Sequence, residues 1–207
     1  MTEENRREAK KVVVIGQGYV GLPVAMRSVA IGHHVVGLDL DPRRVASLGA
    51  GSSHVDDISD DELRAALDSG HYRVSSDYAD AAGFDVAVIT VPTPLRETLP
   101  DLSFIESAAE SLAPHLTRGA LVVLESTTYP GTTQELLIPL LEEGSGLTAG
   151  ADFFAGYSPE RIDPGNPTWG LKETPKIVSG IDEESLTKVS DFYSAIVDTI
   201  VPVSSPK

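Results

Sequence analysis

Apolar positions in this chain gather into short unbroken runs rather than alternating with polar ones. The runs are "KVVVIG" (11–16), "HVVGLDL" (34–40), "FDVAVITV" (84–91), "ALVVLES" (120–126), "DFFAGYS" (152–158), "PKIVSG" (175–180) and "DTIVPV" (198–203). A β-branched run with no polar face predicts a strand covered on both sides. Most of the intervening segments carry helical spacing. Residues 19–31 end at Gly32, a candidate C′ glycine. "SDDELRAALDSG" offers Ser59 as N-cap with Glu62 three residues on, and "LSFIESAAESLAPHL" offers Ser103 and Glu106 in the same relation. "TTQELLIPLLEEG" and "DEESLTKVSDFYSAI" complete the set. Strands alternating with helices at this cadence predict an α/β fold, a doubly wound parallel sheet with right-handed crossovers. No repeat, low-complexity tract or linker interrupts the pattern. Residues 11–207 therefore read as one domain, preceded by a flexible lead-in over residues 1–10.

The first junction is the most informative. "VVVIGQGYVGLP" places Gly16, Gly18 and Gly21 directly after a predicted strand and at the start of a predicted helix. In that setting Gly16 permits the tight turn, Gly18 lets the backbone approach a pyrophosphate, and Gly21 lets the helix pack on the strand. The helix N-terminus adds unpaired N–H groups and a partial positive charge. Tyr19 and Val20 lie within this loop; Tyr19 either borders the ligand or caps the helix, and the sequence leaves both open. The next strand ends in "GLDLD", where Asp39 can accept hydrogen bonds from ribose hydroxyls and repel a 2′-phosphate. This is the pattern of a Rossmann-type dinucleotide-binding domain, with NAD expected over NADP. Arg43 and Arg44, in "DPRRVASLG", read first as a solvated helix face. An arginine just past that strand can also accommodate a phosphate, so Arg44 stays among the cofactor-binding candidates.

Charge makes the glycine loop more telling. With 31 acidic against 16 basic residues the formal net charge is −15, which argues against nucleic acid or an anionic membrane as a partner. An anionic ligand needs a local device to hold it. The chain has no cysteine, which removes disulfides, thiolate metal sites and any cysteine nucleophile from this segment. His33 and His34 read as a solvated turn, His54, His71 and His115 are scattered, and no metal site is expected. The charged N-terminus has no apolar core and no run reaches membrane-spanning length, so a cytoplasmic protein is expected.

Three further loops fall at the carboxyl ends of predicted strands, where open α/β sheets bind ligands. In "ITVPTPL", Val91, Pro92 and Thr93 form a stiff wall for a nicotinamide ribose. In "LESTTYPGTT", Ser126, Thr127 and Thr128 supply hydroxyls. In "YSPERIDPGNP", Glu160, Arg161 and Asp163 sit among Pro159, Pro164 and Pro167. A rigid carboxylate there is a candidate general base or water-positioning group. Taken singly, each loop reads equally as a turn, and Trp169 as a loop anchor.

Together, "GQGYVGLP", Asp39, "VPTP", "ESTTYPGTT" and "SPERIDPGN" resemble the nucleotide-sugar 6-dehydrogenases, the UDP-glucose/GDP-mannose dehydrogenase family. The resemblance spans essentially the whole chain. The last two segments are more similar to the UDP-N-acetylglucosamine 6-dehydrogenase branch than to the UDP-glucose branch, whose segments read like STVPVGT and NPEFLxEG. The resemblance implies oxidation of a sugar C6 alcohol to a carboxylate by two hydride transfers to NAD, the second through a thiohemiacetal on a cysteine. It also implies that Thr127 helps to hold a catalytic water and that Glu160 serves in acid/base or water-positioning work. The family's second loop glutamate falls on Pro164, with Asp163 adjacent as a substitute.

The family's cysteine, its lysine and asparagine on a long central helix, and its UDP-binding surface all lie beyond the segments matched here. The expectation is an N-terminal NAD-binding domain cut at a domain boundary, which binds NAD without turning over a UDP-sugar alone. A homodimer is expected only with the central helix. Three alternatives stand beside it: a fragment of a UDP-glucose 6-dehydrogenase, a stand-alone non-catalytic NAD-binding module, and a 3-hydroxyacid-type dehydrogenase sharing only the fold.

Overall fold

The computed structural model describes residues 9–96, 99–161 and 170–207. In chain order the elements are β1 (Lys11–Ile15), α1 (Gly21–Ala30), β2 (His34–Leu38), α2 (Pro42–Gly49), α3 (Asp60–Asp68), β3 (Tyr72–Ser75), β4 (Val86–Ile89) and a small antiparallel pair, β5 (Leu95–Arg96) and β6 (Leu99–Pro100). There follow α4 (Ser103–Leu112), β7 (Leu121–Leu124), α5 (Ile138–Ser145), β8 (Phe154–Tyr157), β9 (Lys176–Gly180), α6 (Glu183–Ile196) and β10 (Ile200–Pro202). The main sheet has the order β10-β9-β8-β7-β4-β1-β2-β3. Strand order reverses between β1 and β4, and the loops leaving their carboxyl ends diverge there to open a crevice.

The unbroken apolar runs have a direct cause. On β1, Val12 and Val14 pack into the layer formed by α1, α3 and α6, whereas Val13 and Ile15 pack into the layer formed by α4 and α5. All four are buried. Each is worth on the order of 2 kcal/mol of transfer free energy, so neither face tolerates a polar residue. The termini follow the sequence signals in most places. Gly32 has φ +93 and its N–H returns to Val29 O, while the His33 N–H returns to Ser28 O, a Schellman closure of α1. Ser59 accepts the Glu62 N–H at the start of α3.

Four expectations need correction. The sheet is not parallel throughout: β8 and β9 pair antiparallel, and β10 follows β9 in parallel. A parallel return needs a crossover, usually a helix, and the described residues between β8 and β9 contain none. Strand β3 was absent from the apolar runs because it is a short edge strand with one fully buried residue, Tyr72. Ser103 does not cap α4. It is the helix's first residue, and Asp101 Oδ1 accepts its N–H at 3.0 Å. His33 is not in a solvated turn but buried, with Nδ1 accepting the Lys10 N–H at 3.3 Å. Residues 133–137, ahead of α5, form a π turn. Pro139 lacks the N–H that an α-helix would use there and its ring crowds the preceding turn, which the wider register accommodates.

At the carboxyl edge of β7 a charged pair lies inside the protein. Glu125 accepts from Lys176 Nζ and from the Tyr193 hydroxyl, and all three residues are at most 3% exposed. Burial, reinforced by the Glu125 carboxylate, pushes the Tyr193 phenol well above its usual range, so it stays a donor. Removing one member strands the other charge. Lys176→Met is expected to lower stability in urea unfolding by about 3–5 kcal/mol, with part regained in Lys176→Met/Glu125→Leu. A single variant as stable as the parent would contradict this account.

Candidate functional site

The glycine loop is built by close approach. Gly16 has φ +91, a region that L side chains rarely adopt, and a Cβ there would lie 2.8 Å from the Thr90 carbonyl oxygen. A Cβ on Gly21 would come within 1.8 Å of Gly16 O and 2.5 Å of Thr90 Oγ1. The Thr90 hydroxyl lies 2.8 Å from the carbonyl oxygens of both Ile15 and Gly16, so it ties the end of β4 to the end of β1. Gly18 differs: a Cβ there would meet nothing within 4 Å. The first turn of α1 has no side-chain cap. Within that turn the Leu22 N–H returns to Gly18 O at 3.0 Å and Pro23 has none, so a pyrophosphate there depends on the N–H groups of the glycine turn up to Gly21.

Asp39 is 8% exposed and held from three directions. Its Oδ2 accepts the Gln17 N–H at 2.9 Å and Arg44 Nη1 at 2.8 Å, while Oδ1 accepts the Asp41 N–H at 3.0 Å. Arg44 is thus turned inward onto the carboxylate, unlike Arg43, whose side chain is 90% exposed. A groove of about 240 Å³ runs past Gly16, Asp39, Arg44, Tyr78, Val91 and Pro92. Leu40 and Phe104, both well exposed, give it apolar walls. Burial, with the Asp39 charge second, pushes the Tyr78 phenol up to about 12, so it borders the groove as a neutral hydroxyl. His54, which the sequence left without a role, lies near the Gln17 backbone and Arg44. Burial, and then the Arg44 charge, lower its pKa.

A hydroxyl cluster adjoins this groove. Ser126 Oγ donates to Val91 O at 3.1 Å, Thr93 Oγ1 donates to Thr127 O at 2.6 Å, and the Tyr157 hydroxyl donates to Ser126 O at 3.0 Å. The loops after β4 and β7 and the last residue of β8 are therefore cross-linked. Thr127 is exposed and Glu160 half-buried. Their sequence neighbours Thr128 and Pro159 line a common groove of about 190 Å³. Tyr19 is 49% exposed and stands outside the first groove, and Val20 holds the N-cap position of α1. Asp163 and Trp169 lie outside the described residues. Sequence reasoning passed over Gln17, Tyr72 and Thr90. Gln17 occupies a variable position of the glycine pattern, and only its complete burial marks it.

Residues 10–197 match the NAD binding domain of the UDP-glucose/GDP-mannose dehydrogenase family. The chain belongs to this family. NAD is the cofactor of the matched domain, and the open space at Gly18, the uncapped helix and the fixed Asp39 carboxylate suit it. Among relatives, the UDP-N-acetyl-D-glucosamine 6-dehydrogenase of Pseudomonas aeruginosa is 39% identical over 188 residues, covering 90% of this chain and 44% of that protein. Protein CapL of Staphylococcus aureus is 38% identical over 189 residues, covering 91% and 43%. In three dimensions, the UDP-D-ManNAc dehydrogenase of Pyrococcus horikoshii superposes with a TM-score of 0.89 at 34% identity, over 95% of this chain and 47% of that one. The chain thus spans less than half the length of these family members. Among the described residues no helix is long and apolar enough to cross a membrane.

The glycines can be separated by experiment. Gly18→Ala is expected to melt with the parent and to weaken NAD by roughly tenfold, about 1.4 kcal/mol, because its methyl group enters the phosphate space. Gly21→Ala is expected to lower the melting temperature as well, since the loop must move. Equal melting of both variants, or unchanged NAD affinity in Gly18→Ala by calorimetry, would contradict this reading.

Proposed function

We propose that this chain is the cofactor-binding part of a nucleotide-sugar 6-dehydrogenase that oxidises the C6 alcohol of a UDP-N-acetylhexosamine to the carboxylate. The observation carrying the proposal is the continuity of the cofactor groove with the hydroxyl cluster through the Ser126–Val91 hydrogen bond, in a chain 39% identical to a UDP-N-acetyl-D-glucosamine 6-dehydrogenase. NAD, when bound, supplies the hydride acceptor for two successive oxidations at the same carbon.

The residue roles follow from position. Gly16, Gly18, Tyr19, Val20 and Gly21 form the pyrophosphate turn, and Asp39 with Arg44 takes the adenosine ribose. Val91, Pro92, Thr93 and Ser126 border the nicotinamide ribose. Thr127 holds a water, and Glu160 positions that water or exchanges its proton. Asp163 is the candidate second carboxylate of that loop. Residues 11–207 act as one domain, supported by the eight-stranded sheet whose strands run from Lys11 to Pro202. The UDP-sugar is a partner of the whole enzyme, as is a second subunit through the family's central helix. A cytoplasmic location fits a dependence on a soluble dinucleotide.

The chain contains no cysteine, so the thiohemiacetal step implied by the family resemblance needs residues from elsewhere in the enzyme. Residues 1–207 are expected to bind NAD and to form no NADH with UDP-N-acetylglucosamine. The whole enzyme is expected to form two NADH per UDP-N-acetylhexosamine and to prefer it to UDP-glucose, with Glu160→Gln slowing turnover by roughly 100-fold at unchanged NAD affinity. NADH formation by residues 1–207 alone, or a preference for UDP-glucose in the whole enzyme, would overturn the proposal.

A further inference from the structure

Beneath the glycine loop lies a polar junction that cofactor contact alone does not explain. Gln17 is completely buried and Tyr72, on the edge strand β3, is 2% exposed. The Tyr72 hydroxyl donates to Gln17 Oε1 at 2.8 Å. At its other end the same amide donates from Nε2 to Val14 O at 2.8 Å, with Gly16 O at 3.3 Å. Gln17 is therefore gripped at both ends of its side chain, and its backbone N–H is aimed at Asp39 Oδ2. The junction exists only because β2 carries glycine where it passes. A Cβ on Gly37 would lie 2.5 Å from Gln17 Oε1 and 2.7 Å from Tyr72 Oη.

We propose that Tyr72 and Gln17 are positioning residues for cofactor choice: the Tyr72 hydroxyl fixes the Gln17 amide, which fixes the Gln17 N–H on Asp39, the carboxylate that favours NAD over NADP. The inference rests on the reading of Asp39 as the ribose acceptor. A buried amide oxygen that loses its donor must turn to find another or remain unpaired. Either way the Gln17 peptide is no longer held. Asp39 keeps its bonds to Arg44 and to the Asp41 N–H, so the effect is a shift in preference, not a loss of binding. A general loosening of the fold would weaken both dinucleotides alike, whereas a misplaced carboxylate weakens NAD and spares NADP.

The test is calorimetry of NAD and NADP binding to the parent chain, Tyr72→Phe, Gln17→Met/Tyr72→Phe and Asp39→Ala. Tyr72→Phe is expected to reduce the ratio of the NADP to the NAD dissociation constant by roughly fivefold, the size of one hydrogen bond, and Asp39→Ala by more. The double variant leaves neither polar group unpaired and is expected to regain thermal stability while keeping the reduced ratio. It serves even if Tyr72→Phe folds poorly. An unchanged ratio in the double variant, with Asp39→Ala still lowering it, would overturn the positioning role and leave the reading of Asp39 intact. An unchanged ratio in Asp39→Ala would overturn both.

Discussion

The approach of α1 to the end of β1 is the constraint on which the site depends. The helix comes so near that a single methyl group on Gly21 would sit 1.8 Å from Gly16 O. The Thr90 hydroxyl fastens the same point to β4. Because α1 starts hard against the sheet, its uncapped N-terminus opens directly over the crevice at the strand-order reversal. A side chain at Gly21 would push the helix away and separate the glycine turn from Asp39. The loop, the helix dipole and the placing of the Asp39 carboxylate are thus consequences of one close contact.

Charge is handled locally in a protein with a formal net charge of −15. Near the groove, Arg44 and two backbone N–H groups hold the Asp39 carboxylate in a fixed orientation. Deeper, Lys176 and Tyr193 do the same for Glu125, one residue before the hydroxyl cluster. Three successive residues of that loop are fastened: Glu125 by its side chain, and Ser126 and Thr127 by their carbonyls. Such fastening orders the loop before any ligand arrives.

Much of this was legible in the sequence, for a physical reason. Strands buried on both faces must be apolar throughout, so β1, β4 and β7 announced themselves, and helices with strong capping residues, such as Ser59 for α3, did so too. The three glycines were legible by their spacing after a strand; at Gly16 and Gly21 no other residue fits, while Gly18 faces open space. The edge strand β3 was not, since a half-exposed strand carries no continuous apolar signal. The antiparallel turn into β9 was hidden as well, because an apolar run does not state its direction. Gln17 and Tyr72 are far apart in sequence and meet only through the β1–β2–β3 register, so pattern reading had no means of joining them. Arg44 was read in two ways, and its inward turn onto Asp39 depended on the side-chain geometry.

The most direct test of the central claim is an amide-resolved NMR titration of this chain with NAD. If the cofactor lies across the crevice at the strand-order reversal, the largest shifts fall on the backbone N–H groups of Gly18, Tyr19, Val20 and Gly21, with Asp39, Thr93 and Ser126 following. Shifts concentrated at the opposite edge of the sheet, around Lys10, Asp85 and Gly119, with the glycine loop unmoved, would contradict the account.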